Sequence, residues 1–406
     1  MDERLAELRT LLLRHRADRY PVEHATLQFH LGATLLEFDR HDQAVTALRV
    51  SAELFEARGR HVERAKALNL LGAALLHLDD TEGATQALVS AATLFETHEQ
   101  HLELGAARFN LGLVHRRQGD HRSAASCFSA ALERFEHAEL PHQASAAARE
   151  LGASRLELGA TPAAAEILER ACELAEATGD RLHVGAAANL LGLARLAGDE
   201  PQAAAEAFRL AASAYPHQLD APNHAMVTAN LALAHEQLGD VARARLAAWR
   251  ATTISDAAPP VLEQANAVLH RLGRPGGDLV SVLDDAPTQR WAAELAPSLT
   301  AMLDAETLER ERLLGAWIDG QVAEGRDGTA LAAALLDVLL ELPPDQLKTL
   351  VRGLLLALQD RAHEQAGRFR SQSRRAMARF HVPQWQRLEA IFQEVAAEVG
   401  DDGEWS

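Results

Sequence analysis

Aromatic residues make up only 4% of this chain, with two tyrosines and five tryptophans among 406 residues. A β-sandwich or barrel draws its strands from aromatic and β-branched residues, so that scarcity excludes the all-β classes. Glycine (25) and proline (14) are also sparse, so tight hairpins are not the main connector. Two cysteines, Cys127 and Cys172, cannot make a disulfide framework, and they point to a reducing compartment. Lysine is nearly missing: Lys66 and Lys348 are the two, and every other basic residue is arginine. Positive charge is short altogether, with 40 basic against 58 acidic residues and a net charge of −18. Residues 1–278 and 279–406 are both acidic, so no global field draws phosphate. Apolar runs such as Leu354–Leu358 are far too short to span a membrane. The first ten residues lack the layout of a signal peptide. The expectation is a soluble cytoplasmic protein without a membrane partner. Its 48% apolar content provides a large core and excludes general disorder.

What the chain has in abundance is alanine and leucine, in a repeating order. Leu-Gly pairs stand at Leu31-Gly32, Leu71-Gly72, Leu111-Gly112, Leu151-Gly152 and Leu191-Gly192, with Leu231-Ala232 as the sixth, always 40 residues apart. Ala44, Ala84, Ala124, Ala164, Ala204 and Ala244 keep the same register. So do Ser51, Ala91, Ala131, Ala171, Ala211 and Ala251, and upstream Ala25, Ala65, Gly105, Ser145, Gly185 and Ala225. Turn residues such as Asp79-Asp80, Gly119-Asp120 and Gly239-Asp240 lie between the Leu-Gly and Ala positions. In repeat two, Ala65, Leu68, Leu71, Gly72, Leu75 and Leu78 follow a helical period from about 62 to 78. Ala84, Leu88, Ala91, Ala92 and Phe95 do so from about 82 to 96. Each unit is thus predicted to be a helical hairpin, with small residues where its helices cross closely. One hairpin cannot bury both faces, so hairpins stack into a solenoid. Gly198 stands one residue early, which predicts a shortened first helix or a different turn in repeat five.

This pattern of Leu-Gly on one helix, then Ala, a large apolar residue and Ala on the next, resembles the tetratricopeptide repeat (TPR) family. The resemblance covers six copies over about 20–259. The 40-residue unit exceeds the family's usual 34 and is most similar to kinesin light chain and bacterial regulator repeats. The family's Trp before Leu-Gly is absent, and its later Tyr is replaced by Leu35, Leu75, His115, Arg155, Arg195 and His235. Armadillo and HEAT units, of similar length, are the alternative. The resemblance implies an all-α TPR-like α-solenoid, a right-handed superhelix of hairpins. The expected layout is a cap helix over 1–19, six repeats over 20–259, a closing helix and linker over 260–278, and a helical C-terminal domain over 279–406. In that last region helices are predicted near 288–303, 305–323, 329–341, 344–380 and 383–399, forming a bundle or a dimerisation module. Residues 401–406 read as a frayed acidic tail.

The resemblance also implies that first helices line a concave face that receives a peptide or partner helix. By register the groove positions are Phe29, His30, Asn69, Phe109, Asn110, Arg149, Asn189 and Asn230, with Arg116 and Arg117 further along. Asparagine is a poor helix-interior residue. Its recurrence at one position fits an amide that both donates to and accepts from a peptide backbone, or else a bond between helices. Arg116, Arg117 and Arg149 either hold an anion or pair with Glu150 and Glu157. The heat-shock-protein carboxylate clamp has Asn after Leu-Gly. This chain has Ala33, Ala73, Leu113, Ala153, Leu193 and Leu233 there, which sets that subtype aside. A second candidate contact is the acid-free stretch with Arg368, Arg370, Arg374, Arg375 and Arg379. It reads either as a nucleic-acid surface or, preferred with a net charge of −18, as a basic helix docked on its own acidic chain.

No phosphate-binding Gly-rich loop, nucleophile elbow, HExxH or zinc-spaced Cys/His cluster is present. The expectation is therefore no enzyme, no cofactor and no metal. The function expected is an adaptor or regulator that binds a protein or peptide, with self-association through the C-terminal region. The alternatives are a peptide- or ligand-sensing regulator of a transcription-control system and a nucleic-acid binder through 368–387.

Overall fold

The computed structural model describes residues 2–403 and 405. All regular structure among them is helical. The chain divides into two compact units, Met1–Glu200 and Pro201–Ser406.

The first unit contains α1 (Asp2–Arg14), α2 (Pro21–Glu37), α3 (His41–Ala57), α4 (His61–His77) and α5 (Thr81–Thr97). It continues with α6 (His101–Arg117), α7 (His121–His137), α8 (Pro141–Glu157), α9 (Thr161–Thr178) and α10 (Arg181–Ala197). Consecutive helices pack as antiparallel hairpins, and the hairpins stack in a row. The close crossings fall where the small residues recur: Ala44, Ala84, Ala124 and Ala164 are completely buried. Where either of the other two small positions carries a serine, its hydrogen bond is made across the crossing. Ser51 donates to the Ala25 carbonyl at 2.8 Å, and Ser145 donates to the Ala171 carbonyl at 3.0 Å.

The turns repeat twice as often as the hairpins. Positive φ occurs at Asp39, Gly59, Asp79, Glu99, Gly119, Glu139, Gly159, Gly179 and Asp199, one every twenty residues. A left-handed residue ends a helix by letting the chain fold back on the last carbonyls. At the end of α4 the Asp80 N–H reaches the Leu75 carbonyl at 3.0 Å, and the Asp79 N–H reaches Leu76 at 3.1 Å. Asp80, Asp120 and Asp180 then cap the next helix, accepting from Gly83, Ser123 and His183 N–H groups. One expectation is corrected here. Helix α10 is a full 17 residues long. Gly198 is only its C-cap (φ −84), and Asp199 takes the left-handed conformation (φ 59). Aspartate tolerates that conformation, so the glycine is not needed at the turn.

The second unit begins with α11 (Pro201–Ala214), α12 (Ala221–Gln237), α13 (Val241–Thr253), α14 (Pro259–Leu272) and α15 (Asp278–Asp284). A 3-10 turn (Thr288–Arg290) leads into α16 (Trp291–Asp304) and α17 (Thr307–Gln321), followed by α18 (Thr329–Glu341), α19 (Pro344–Gln359), α20 (His363–Met377) and α21 (Val382–Val399). One apolar core joins α13 to the later helices, with Trp249, Leu283, Leu299, Trp317, Leu339, Leu354, Phe369 and Phe392 in it. The helix predicted over 344–380 is two helices, α19 and α20. The break at Asp360 to Ala362 is held by Arg361, which donates to both Asp319 carboxylate oxygens at 3.1 and 2.9 Å. A pattern-based reading misses such a break because no Pro or Gly marks it. The short α15 was also unforeseen; the buried Asp278 that begins it pairs with Arg245 at 3.3 Å. The frayed tail is a further correction. Asp401 accepts from the Trp405 indole at 2.9 Å and pairs with Arg370, and Trp405 is buried on Phe392 with ring centroids 4.7 Å apart. Glu404 and Ser406, also assigned to that tail, lie outside the described residues, as does Met1.

Candidate functional site

In the first unit the two faces of the stack differ in exposure. On α3, α5 and α7 the residues pointing away from the core are exposed, as are Arg122, Ser126, Ser129 and Glu133 along α7. The outward residues of α6 are instead half-buried: Ala106, Phe109, Asn110 and Leu113. Side chains shaded by neighbours on both sides line a concave wall, and openly exposed ones cover a convex wall. The even-numbered helices of the first unit thus present the more shaded wall.

On this wall Phe29 is half-buried and its ring meets the exposed His30 edge-on at 5.5 Å. Asn69 on α4 and Asn110 on α6 are joined: the Asn110 Nδ2 donates to the Asn69 Oδ1 at 3.0 Å. This bond uses one donor and one acceptor, and each amide has hydrogen-bonding capacity beyond it. Phe109 stands edge-on to Phe128 at 5.5 Å. Further along, Arg116 and Arg149 converge on Glu150, each engaging one carboxylate oxygen, with Arg149 at 3.0 Å. Glu150 is only 7% exposed. Arg117 pairs with Asp79 at 2.8 Å. An incoming anion would therefore compete with acids already in place. Asn189 is buried on α10. In the second unit Asn230 is buried on α12, and its Oδ1 accepts from Gln264 at 2.9 Å.

The arginines of α20 are also engaged within the second unit. Arg368 donates to the Ala323 carbonyl at 3.1 Å, Arg370 lies over the Trp405 ring at 5.9 Å, and Arg375 is 3.9 Å from Asp327. Arg374, Arg375 and Arg379 are exposed. Arg387 on α21 donates to Leu340 and Leu342 carbonyls at 3.1 and 2.8 Å.

Sequence reasoning missed a cluster of His142, Asp180 and His183, whose ligand-type atoms lie within 4.8 Å of one another. Asp180 caps α10 and accepts from His183 Nδ1 at 2.6 Å, so the capping role accounts for it. The 41-residue separation of the two histidines is the repeat period plus one. Only the repeat register, applied to every histidine, would have shown the pair. Both cysteines are buried. Burial pushes the Cys172 thiol up to about 12, aided by Glu176, Glu169 and Glu173.

A stack of helical hairpins defines a helical-repeat protein. Comparison with known families makes the class specific. One family model described as tetratricopeptide repeat matches residues 63–137, and a second with the same description matches 109–181. The chain carries tetratricopeptide repeats over these residues. No curated protein matches the chain. Among solved structures, the Pseudomonas aeruginosa protein pilF has 15% identity, covers 61% of this chain and 99% of its own, and superposes with a TM-score of 0.47. The apo form of RapI has 13% identity, with 68% and 90% covered and a TM-score of 0.45. BtubC from P. vanneervenii has 17% identity, with 57% and 90% covered and a TM-score of 0.43. Among the described residues, no helix is long and apolar enough to cross a membrane.

Proposed function

We propose that this protein is a non-catalytic cytoplasmic adaptor or regulator that holds a peptide segment or helix of a partner protein along the inner wall of its repeats. The layout assigned is a cap over 1–19, repeats over 20–259, a closing helix and linker over 260–278, and a C-terminal module over 279–406 that brings copies of the chain together. The observation that carries the groove reading is the half-buried strip on α6, where Phe109 and Leu113 flank Asn110. A preformed strip of apolar and amide side chains orders little on binding, which lowers the cost of association. The Asn69–Asn110 pair gives the partner's backbone amide groups to bond with. Glu150 with its two arginines makes a polar end to the strip.

The test is affinity capture from the native host with two charged doubles. Asn69→Asp with Asn110→Asp alters the inner wall; Ser126→Asp with Ser129→Asp alters the exposed wall of α7. Loss of the captured protein with the first double alone, at unchanged helicity and melting, supports the reading. Equal recovery with both overturns it.

A further inference from the structure

The second unit has a cavity of about 730 Å³, open on one side, between α11, α12, α13 and α16. None of the residues assigned above to the partner groove lines it. Its size falls within the range of sites for small molecules, about 300–1,000 Å³. Leu231, Leu246, Ile254, Val282 and Pro297 make much of its wall apolar.

Three residues of this wall carry a buried polar atom without a hydrogen-bond partner among the described residues: Arg250 (Nε), Ser298 (Oγ) and His235 (Nδ1). Ser298 is 1% exposed and His235 is 5% exposed. Buried polar groups are nearly always paired, and three unpaired on one wall call for a ligand or ordered water. The neighbouring acids are already engaged. Asp240 accepts from Arg243 at 2.8 Å, and Glu294 lies 3.6 Å from both Arg243 and Arg290. His235 Nδ1 is 3.9 Å from Asp240, beyond hydrogen-bond reach. The lining includes four arginines, Arg209, Arg243, Arg250 and Arg290, against the two carboxylates. Burial drives both His224 and His235 toward the neutral ring, so the arginines alone set the positive surplus.

We propose that this cavity binds a small monocarboxylate with an apolar body, its carboxylate accepting from the Arg250 Nε–H and the Ser298 hydroxyl. The His235 ring edges the same site. The surplus of positive charge is small, and Asp240 and Glu294 would repel a dianion. A phosphate monoester would also bring more acceptors than the wall has unpaired donors. The apolar wall accounts for the body of the ligand: a bare small anion would leave those surfaces facing water.

The test is calorimetric titration of the full chain with decanoate, decanol and decyl phosphate near neutral pH. The expected result is saturable one-to-one binding of decanoate, at least about tenfold tighter than decanol or decyl phosphate, because a charged hydrogen bond is lost with either substitute. Arg250→Gln and Ser298→Ala should each weaken decanoate, the former by about tenfold or more, while leaving decanol binding unchanged. Arg352→Gln, outside the cavity, should leave decanoate affinity unchanged. Melting curves identify any variant that fails to fold, and Ser298→Ala, the smaller change, keeps the test open if Arg250→Gln does fail. Three outcomes overturn the proposal: no decanoate binding, which leaves a water-filled cavity; equal binding of decanol; or tighter binding of decyl phosphate.

Discussion

A Cβ on Gly72 would stand 2.4 Å from the Leu88 Cγ of the next helix. The same relationship joins Gly32 to Leu48 at 2.5 Å, Gly112 to a Phe128 ring carbon at 2.6 Å and Gly152 to Leu168 at 2.4 Å. In each hairpin of the first unit the glycine of the Leu-Gly pair receives the large residue sixteen positions later. In the sixth repeat both partners change together: Ala232 and Ala248 are completely buried in one small cluster. Where the first residue gains a Cβ, the second loses its bulk.

It follows that Gly72→Ala should lower stability by about 1–3 kcal/mol through overpacking. Leu88→Ala should cost about 2–5 kcal/mol through the cavity it leaves. The double variant should cost less than the sum, since the added methyl enters vacated space. Urea melts of the four proteins measure the coupling, and strict additivity would contradict the contact.

Gly119 provides the opposite case. Its φ is +77 and nothing lies within 4 Å of a Cβ built there. Gly119→Ala should cost about 1–2 kcal/mol from backbone strain alone, with no rescue from any neighbouring truncation. Gly119→Asn should be milder, and a melting series of the two variants checks the order.

Glu150 holds two arginines and is largely buried. Glu150→Gln should destabilise by about 1–3 kcal/mol, because the cations lose the charge between them. Adding Arg149→Gln should recover part of that loss. If the double is as unstable as the two single losses combined, the three side chains do not act as a unit.

His235 predicts an acid-sensitive second unit. Burial lowers its pKa from 6.5 to about 4, against the opposing pull of Asp240. Above pH 6.5 the ring is neutral in both folded and unfolded chains, and stability does not depend on it. Below that the unfolded chain takes up the proton first, so stability falls as pH drops from about 6.5 to about 4. The full loss is about 3 kcal/mol. His224, also lowered by burial, adds to the same slope. Denaturant midpoints across this range should show a shallower slope for His235→Gln, and an unchanged slope would show that the ring is not buried neutral.

Cys172 and Cys127 are both buried, with thiols pushed up by burial. A thiolate-selective reagent at pH 8 should leave both unmodified in the native protein and label both in denaturant. Rapid native labelling of either would contradict the packing of α7 and α9.

Much of this fold was legible because its determinants are local and periodic. The Leu-Gly and Ala registers fixed the hairpins to within a residue or two of the observed helices, as α4 and α5 demonstrate. Turn chemistry was less legible: Glu99 and Glu139 adopt positive φ although glutamate gives no such signal. The break between α19 and α20 depends on Asp319, outside both helices, holding Arg361. Of the groove candidates, the register named the residues but left their pairing with Glu150, and a bond between asparagines on neighbouring helices, as one alternative of two. That Asn110 donates to Asn69, and that Arg116 meets Arg149 at Glu150, depends on the distance between stacked helices.

By itself the sequence determined the helical class, the 40-residue period and the small residues at each crossing. Each of these depends on side-chain size and backbone preference within one hairpin, and a repeat presents the evidence six times. Only the tertiary structure decided that Arg250, Ser298 and His235 line one cavity. They lie on three helices without a shared period, and they meet because the apolar face of α16 packs back against α13. Burial then set which of these groups carries a charge, a property that no single helix contains.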